Sequence, residues 1–347
     1  MSLSRRAFLA AGGSAALAAP ALATSPLMPE TRPTIKPNRL RPGDTVGIVS
    51  PAGVTYHRVQ IEILQEVIEV LGLKMKAGAH MLDRWGYLAG RDEDRAADIN
   101  AMFADPEVDA IFALAGGWGS GRTLPYLDFE LIRTHPKIFL GYSDITALLL
   151  AIQARTGLVA FHGPNGNSRW NTYSTDYLKR LLFEAEPVRM TNPTRQDDTL
   201  VQMKDRVHVI TPGQARGRLL GGNLTVLTSI IGSPFVPAWE GSILFVEDID
   251  EDVYRIDRML TQLKLAGVLD QLAGFVFGKC TDCEPDSGYA SFTLEDVLEQ
   301  HIKPLGIPAW SGAMIGHIDD RFTVPVGLEA AIDAASGQIT LLEAAVV

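Results

Sequence analysis

The chain opens on a weakly apolar segment and then a proline-punctuated one, with Pro26, Pro29, Pro33, Pro37 and Pro42, which predicts an extended leader over residues 24–42. Short apolar runs then alternate with amphipathic stretches. Thr45 to Ser50 reads as a buried strand, and Ile61, Leu64, Val67, Ile68 and Leu71 recur at the spacing of one helical face. Leu73 to Met75 predicts the next strand, Arg91 to Phe103 a helix, and Ala110 to Ala115 a strand that ends in a glycine-rich turn. Ile138 to Tyr142 is another strand, with Asp144 expected to cap a helix from Ile145 to Arg155. Strands that alternate with helices imply an α/β domain built on a parallel sheet, here over residues 43–165.

The alternation fades from Gly166 to Val207, where polar residues such as Asn167, Asn171 and Asn192 predict a connecting segment with one helix, Thr175 to Glu184. A second region, residues 208–347, resumes it with Leu224 to Ile231, a strand from Ser242 to Val246, a helix from Tyr254 to Leu265, and strands at Gly274 to Gly278 and Ile339 to Leu342. The expectation is a second α/β domain, less regular than the first.

Composition narrows the function classes. The 347 residues are 46% hydrophobic and 21% charged, with a formal net charge of −10, so most of the surface repels a phosphate backbone and nucleic acid is excluded as a partner. Two cysteines, Cys280 and Cys283, provide no disulfide framework; a local disulfide or two free thiols is expected. At the N-terminus Arg5-Arg6 precedes an alanine-rich run ending Ala21-Leu22-Ala23, which resembles a twin-arginine export signal over residues 1–23, cleaved before Thr24. The expected product is a periplasmic protein without stable membrane insertion.

Three segments carry candidate chemistry. Gly116-Gly117-Trp118-Gly119-Ser120-Gly121-Arg122 lies where a parallel strand should end, the edge at which open α/β sheets bind ligands, and Ser120 there is a candidate nucleophile. It lacks the G-x-S-x-G elbow, because Trp118 and Arg122 stand at the glycine positions. The same run matches a phosphate-binding loop except that Arg122 replaces lysine, a substitution that argues against nucleotide binding. Glu247 heads the acidic run Glu247-Asp248-Ile249-Asp250-Glu251-Asp252 at the predicted end of a strand, where it could orient a histidine; the later acids fit a helix N-terminus. Of seven histidines, His317 in a glycine-flanked loop and His162 in Phe161-His162-Gly163-Pro164 are the candidates for a general base.

Tyr87-Leu88-Ala89-Gly90, Gly116 to Ser120, Gly141-Tyr142-Ser143-Asp144, His162-Gly163-Pro164, Gly221-Gly222-Asn223-Leu224, Glu247-Asp248 and Gly316-His317 together resemble the LD-carboxypeptidase family of serine peptidases. That family holds murein tetrapeptide carboxypeptidases and microcin-immunity peptidases, and the similarity runs from about Leu40 to Leu342. The resemblance implies an N-terminal domain like a class I glutamine amidotransferase, a β-rich C-terminal α/β domain, and an active site at their interface. It places the nucleophile on Ser120, the acid on Glu247 and the base on His317, with no metal or cofactor. The substrate it implies is a murein tetrapeptide that loses its terminal D-alanine. Backbone N–H groups of Gly121 and of Gly90 or Gly117 would hold the oxyanion, Trp118 would line the pocket, and Arg122 would meet the substrate carboxylate or form a surface salt bridge. A homodimer is one assembly open to the chain. The competing readings are a microcin-immunity-type peptidase and an exported muropeptide-binding protein without turnover.

Overall fold

The computed structural model describes residues 32–195, 199–283 and 291–347. The twin-arginine segment and the start of the leader lie outside the described residues. Over residues 32–41 the described leader forms no helix or strand beyond an isolated bridge between Ile35 and Leu158, and a turn at residues 42–43 precedes the first strand.

The first half contains β1 (Thr45–Val49), α1 (Arg58–Val70), β2 (Lys74–Ala77), α2 (Asp92–Ala104), β3 (Ala110–Ala113), α3 (Phe129–Thr134), β4 (Ile138–Gly141), α4 (Thr146–Thr156) and β5 (Ala160–His162). The expected strands and helices form nearly where the pattern places them. Strands β3, β4 and β5 are fully buried, so both faces are covered and the sequence reads as continuous apolar runs. They assemble in the order β2-β1-β3-β4-β5, all parallel. The strand order reverses between β1 and β3, which opens a crevice at the carboxyl ends of the strands.

The second half continues with α5 (Thr172–Leu182), β6 (Arg189–Thr191), β7 (His208–Thr211), β8 (Gln214–Asn223), α6 (Leu224–Ile230), β9 (Ile243–Ile249), α7 (Val253–Leu265), β10 (Gly274–Thr281), α8 (Leu294–His301), β11 (Ala309–Ser311), β12 (Val324–Val326), β13 (Glu329–Asp333) and β14 (Gln338–Leu341). Eight of these strands form one mixed sheet, β6-β14-β13-β8-β9-β10-β11-β7, with a parallel centre from β8 to β11 and antiparallel flanks. Two strands differ from the sequence-based division. Strand β6, from the expected connecting segment, joins the second sheet, whereas β12 leaves the C-terminal region and pairs antiparallel with β5 at the edge of the first. Among the described residues no helix is long and apolar enough to cross a membrane.

Helix α4 is the seam between the halves. Its run Ala147 to Ile152 is buried all round, as expected of a helix without a solvent face. It packs against β4, β5 and β12 on one side and against β8 and α6 on the other. Burial of each leucine in it contributes roughly 2 kcal/mol. The close approach is permitted by Gly221 and Gly222 at the end of β8, whose φ angles are +149° and +143°. A Cβ on Gly221 would stand 1.7 Å from the carbonyl oxygen of Phe245, and one on Gly222 would stand 2.4 Å from Thr146 Oγ1. That hydroxyl accepts the backbone N–H of Asn223 at 2.9 Å, tying the first turn of α4 to the second sheet.

Backbone strain therefore predicts a large effect at this seam. Gly221→Ala should cost about 3 kcal/mol or more, because its clash is with backbone. Gly232→Ala, with φ +87° but open space around it, should cost about 1–2 kcal/mol. Urea unfolding of the two variants measures the difference.

Candidate active site

The turn from β4 into α4 carries a non-glycine residue in the left-handed region at the crevice. Tyr142 is extended, and Ser143 follows with φ +64°, in the left-handed region. A short 3-10 turn, Ser143–Ile145, then leads into the helix. Strand, left-handed serine and helix together make the nucleophile-elbow geometry, which lifts the hydroxyl above the sheet edge. The neighbours make room for it. A Cβ on Gly116 would lie 2.9 Å from Cβ of Ser143, and one on Gly141 would lie 2.8 Å from Ile145 Cγ2. Asn165 Oδ1 accepts the Tyr142 N–H at 3.0 Å and steadies the strand end.

From the second half come an acid and a base. Glu247 lies inside β9, which continues to Ile249, rather than at the strand end that the apolar pattern predicts. Its carboxylate is fully buried, and Oε2 is 2.8 Å from His317 Nδ1. The other ring nitrogen, Nε2, is 2.9 Å from Ser143 Oγ. Because a carboxylate only accepts, Nδ1 carries the proton toward Glu247, leaving the Nε2 lone pair directed at the serine. The histidine loop is shaped by Gly316, whose φ is +128° and whose Cβ would lie 3.0 Å from Glu247 Oε2. Thr281 Oγ1 donates to the His317 carbonyl at 3.0 Å, and the Tyr142 ring centroid lies 4.9 Å from that of His317.

Burial pushes the Glu247 carboxyl up, but contacts with His162 and His317 outweigh it and hold the group at about 2. Asp248, which is also buried, is pushed up to about 6 by burial and by the charge of Glu247. Its oxygens accept from Asn223 Nδ2 and from the Thr225 hydroxyl and N–H, each at 2.9 Å.

Ser120 is not brought to His317, and this corrects the nucleophile expected from sequence. It is fully buried: its N–H donates to Asp144 Oδ2 at 2.7 Å and its hydroxyl donates to the Asp144 carbonyl. The glycine-rich segment thus turns its serine inward to brace the residue after Ser143. Asp144 is consequently engaged with Ser120 and does not cap α4, whose N-cap position is Ile145. The carboxyl of Asp144 is pushed up by burial, against the pull of the Ser120 hydrogen bonds.

The other expected site residues divide. Gly117 and Trp118 line both cavities that meet at Ser143, one of about 690 Å³ that also touches His317 and one of about 480 Å³. Gly121 and Arg122 line only the smaller. Gly90 lines neither, and its Cβ position faces Asp83 and Arg95 instead. Arg122 Nε and Nη2 donate to Asp92 Oδ2 at 3.0 and 2.8 Å, the salt-bridge role of the two expected for it. Cys280 and Cys283 are joined in a local disulfide at the end of β10, where Cys280 is the register partner of Asp248. Among the described residues, one group of potential metal ligands, His80, Asp83 and Asp94, has atoms within 4.8 Å of one another, and none of the three lines either cavity.

Residues 46–163 match the family model described as the LD-carboxypeptidase N-terminal domain, and residues 216–332 match that of the C-terminal domain. The chain is 41% identical over 316 residues to the probable murein peptide carboxypeptidase of Bacillus subtilis (strain 168), covering 90% of this chain and 95% of that protein. It is 30% identical over 298 residues to the murein tetrapeptide carboxypeptidase of Pseudomonas aeruginosa, covering 83% of this chain and 92% of the other. The solved structure of the microcin C7 self-immunity protein MccF superposes with a TM-score of 0.82 at 26% identity, covering 90% of this chain and 100% of that one. The first family domain contains Ser143 and the second contains Glu247 and His317, so the chain belongs to the LD-carboxypeptidase family and is a serine-type carboxypeptidase.

Proposed function

We propose that this enzyme removes the terminal D-alanine from murein tetrapeptides, cutting the L,D bond after the third residue through a Ser143–His317–Glu247 triad. The observation that carries the reading is the continuous relay from Glu247 Oε2 through the His317 ring to Ser143 Oγ, with links of 2.8 and 2.9 Å, at the junction of two cavities. The names of the relatives in Bacillus subtilis and Pseudomonas aeruginosa support the substrate class.

In the proposed reaction His317 Nε2 takes the Ser143 proton as Oγ attacks the scissile carbonyl carbon. The positive charge that develops on the imidazole is stabilised by Glu247. The carbonyl oxygen becomes an oxyanion held by the backbone N–H groups of Asp144, the residue after the nucleophile, and Gly117. Collapse of the tetrahedral species breaks the C–N bond, and the Nε2 proton passes to the nitrogen of the departing D-alanine. Water, deprotonated by His317 Nε2, then attacks the acyl carbon; the bond from that carbon to Ser143 Oγ breaks, and Nε2 returns its proton to Oγ.

The two serines separate the alternatives. Ser143→Ala should lower kcat by about 10⁴-fold or more, whereas Ser120→Ala, which loosens only the Asp144 brace, should retain activity within about 10-fold. The measurement is D-alanine release from a murein tetrapeptide, with mass spectrometry of the tripeptide product. A wild-type protein that binds the tetrapeptide unchanged, or cuts an acyl-sulfamoyl adenylate but not the tetrapeptide, would overturn the reading.

Glu247→Gln should cost about 10⁴-fold in kcat, by favouring the wrong histidine tautomer. The depressed Glu247 pKa also gives a stability prediction. Its ionised form favours the folded state, so the contribution is complete above about pH 4.5 and is lost as pH falls toward about 2. Acid unfolding curves of the wild type and Glu247→Gln should therefore differ in slope over that interval.

We further propose that Met1 to Ala23 directs export, so that the enzyme meets murein peptides outside the cytoplasm. Replacing Arg5 and Arg6 by lysine should leave the precursor in the cytoplasmic fraction, as read by cell fractionation and immunoblotting.

A further inference from the structure

Glu247 has a second carboxylate oxygen that the triad does not use. Among the described residues Oε1 is buried without a hydrogen-bond partner, and so is Nε2 of His162, which faces it at 3.8 Å. An unpaired carboxylate oxygen in a dry interior is costly, and an unpaired ring nitrogen adjoining it is a second cost of the same kind. One movement of less than an ångström would remove both.

The position of His162 in the fold gives the contact its meaning. It ends β5, and its register partner on β4 is Gly141, two residues before Ser143. On its other side it pairs with Val324 of β12. Its ring is wedged edge-on between Tyr142 and Phe245, with centroids 6.1 and 5.6 Å away, and Phe245 lies two residues before Glu247 on β9. His162 therefore belongs to the sheet that bears the nucleophile and reaches the acid borne by the other sheet.

From this juxtaposition we propose that His162 is a positioning residue of the active site: as its Nε2–H tautomer it donates to Glu247 Oε1, fixing the carboxylate plane so that Oε2 stays aligned with His317. Glu247 is then gripped at both oxygens, by one histidine that takes part in proton transfer and one that does not. The grip also references the acid and base of the second sheet to the serine of the first. The inference rests on the triad reading above, which Ser143→Ala tests independently.

Two variants and one spectrum test it. His162→Phe removes the donor at similar ring volume and should lower kcat by about 10- to 100-fold with KM little changed. His162→Gln, which can present an amide N–H near the Nε2 position, should recover most of the loss. The groups facing His162 are Glu247 and Tyr142, with the Arg321 guanidinium 4.4 Å over the Tyr142 ring. Without the His162 donor the carboxylate interacts more strongly with protons and with the protonated His317, so the acid limb of kcat against pH should move to higher pH in His162→Phe and return in His162→Gln. In the wild-type protein, ¹⁵N–¹H NMR with labelled histidine should show a proton on His162 Nε2. A proton on Nδ1 alone, with Nε2 bare, would overturn the proposal without any variant having to fold. A folded His162→Phe with unchanged kcat and acid limb would also overturn it, as would equal losses in Phe and Gln with an unmoved acid limb. Activity loss in Ser143→Ala alongside such a result would leave the triad standing and remove only His162 from it.

Discussion

A carboxylate taken wholly out of water costs several kcal/mol unless charge and hydrogen bonds replace its hydration, and Glu247 is such a carboxylate. Much of the molecule is arranged around that cost. Strand β9 carries the acid into the seam between the sheets, where desolvation makes its interaction with the His317 ring far stronger than it would be at the surface. Glycines clear the space. A Cβ on Gly278 would lie 3.2 Å from Glu247 Cβ, and one on Gly316 would lie 3.0 Å from Oε2. The same burial that penalises the ion confines it to one orientation.

The two halves meet with the precision that a relay of hydrogen bonds requires, because they are not independent bodies joined by a linker. Strand β12 crosses back to the first sheet, α4 packs on both sheets, and Asn223 at the end of β8 is bonded to Thr146 at the start of α4. Thr146 stands three residues after Ser143. The end of the strand beside Glu247 is thus tied to the helix that the Ser143 turn begins, since Asn223 and Glu247 are partners in register. The Ser143–His317–Glu247 geometry and the interdomain packing are one network, so a change at the seam reaches both.

Most of the first sheet was legible in the sequence. Strands β1, β3, β4 and β5 are buried, α1 carries one apolar face and α4 is apolar all round, so the elements predicted between Thr45 and Thr156 coincide with the structure to within a few residues; the short helix α3 was not among them. The second sheet was harder. Strand β8 begins exposed and ends in Gly221-Gly222-Asn223, so neither alternation nor a continuous apolar run announces it. Short strands such as β5, β11 and β12, of three residues each, are held by their neighbours and leave little periodic signal. Glu247 and His317 were accessible from an acid following an apolar strand and a histidine between flexible loop residues. Ser143 carried a comparable signal, Gly141-x-Ser143 directly after an apolar strand and before a helix, but the glycine-rich run around Ser120 was the louder one.

What the sequence alone determined was local: which segments are strands and helices, the acidic surface, and the residue types from which a serine peptidase site could be assembled. It could not choose between two serines that both follow parallel strands. Both belong to glycine-containing turns, and the choice depends on which hydroxyl faces the crevice. The fold made that choice by burying Ser120 against Asp144 and forcing Ser143 into a left-handed conformation opposite His317. The decision was tertiary because His317 comes from a loop 174 residues farther along the chain, and backbone direction at its arrival is set by sheet packing rather than by local preference. The second histidine at Glu247 belongs to the same level: only the meeting of two sheets reveals that His162 and the acid share a buried boundary.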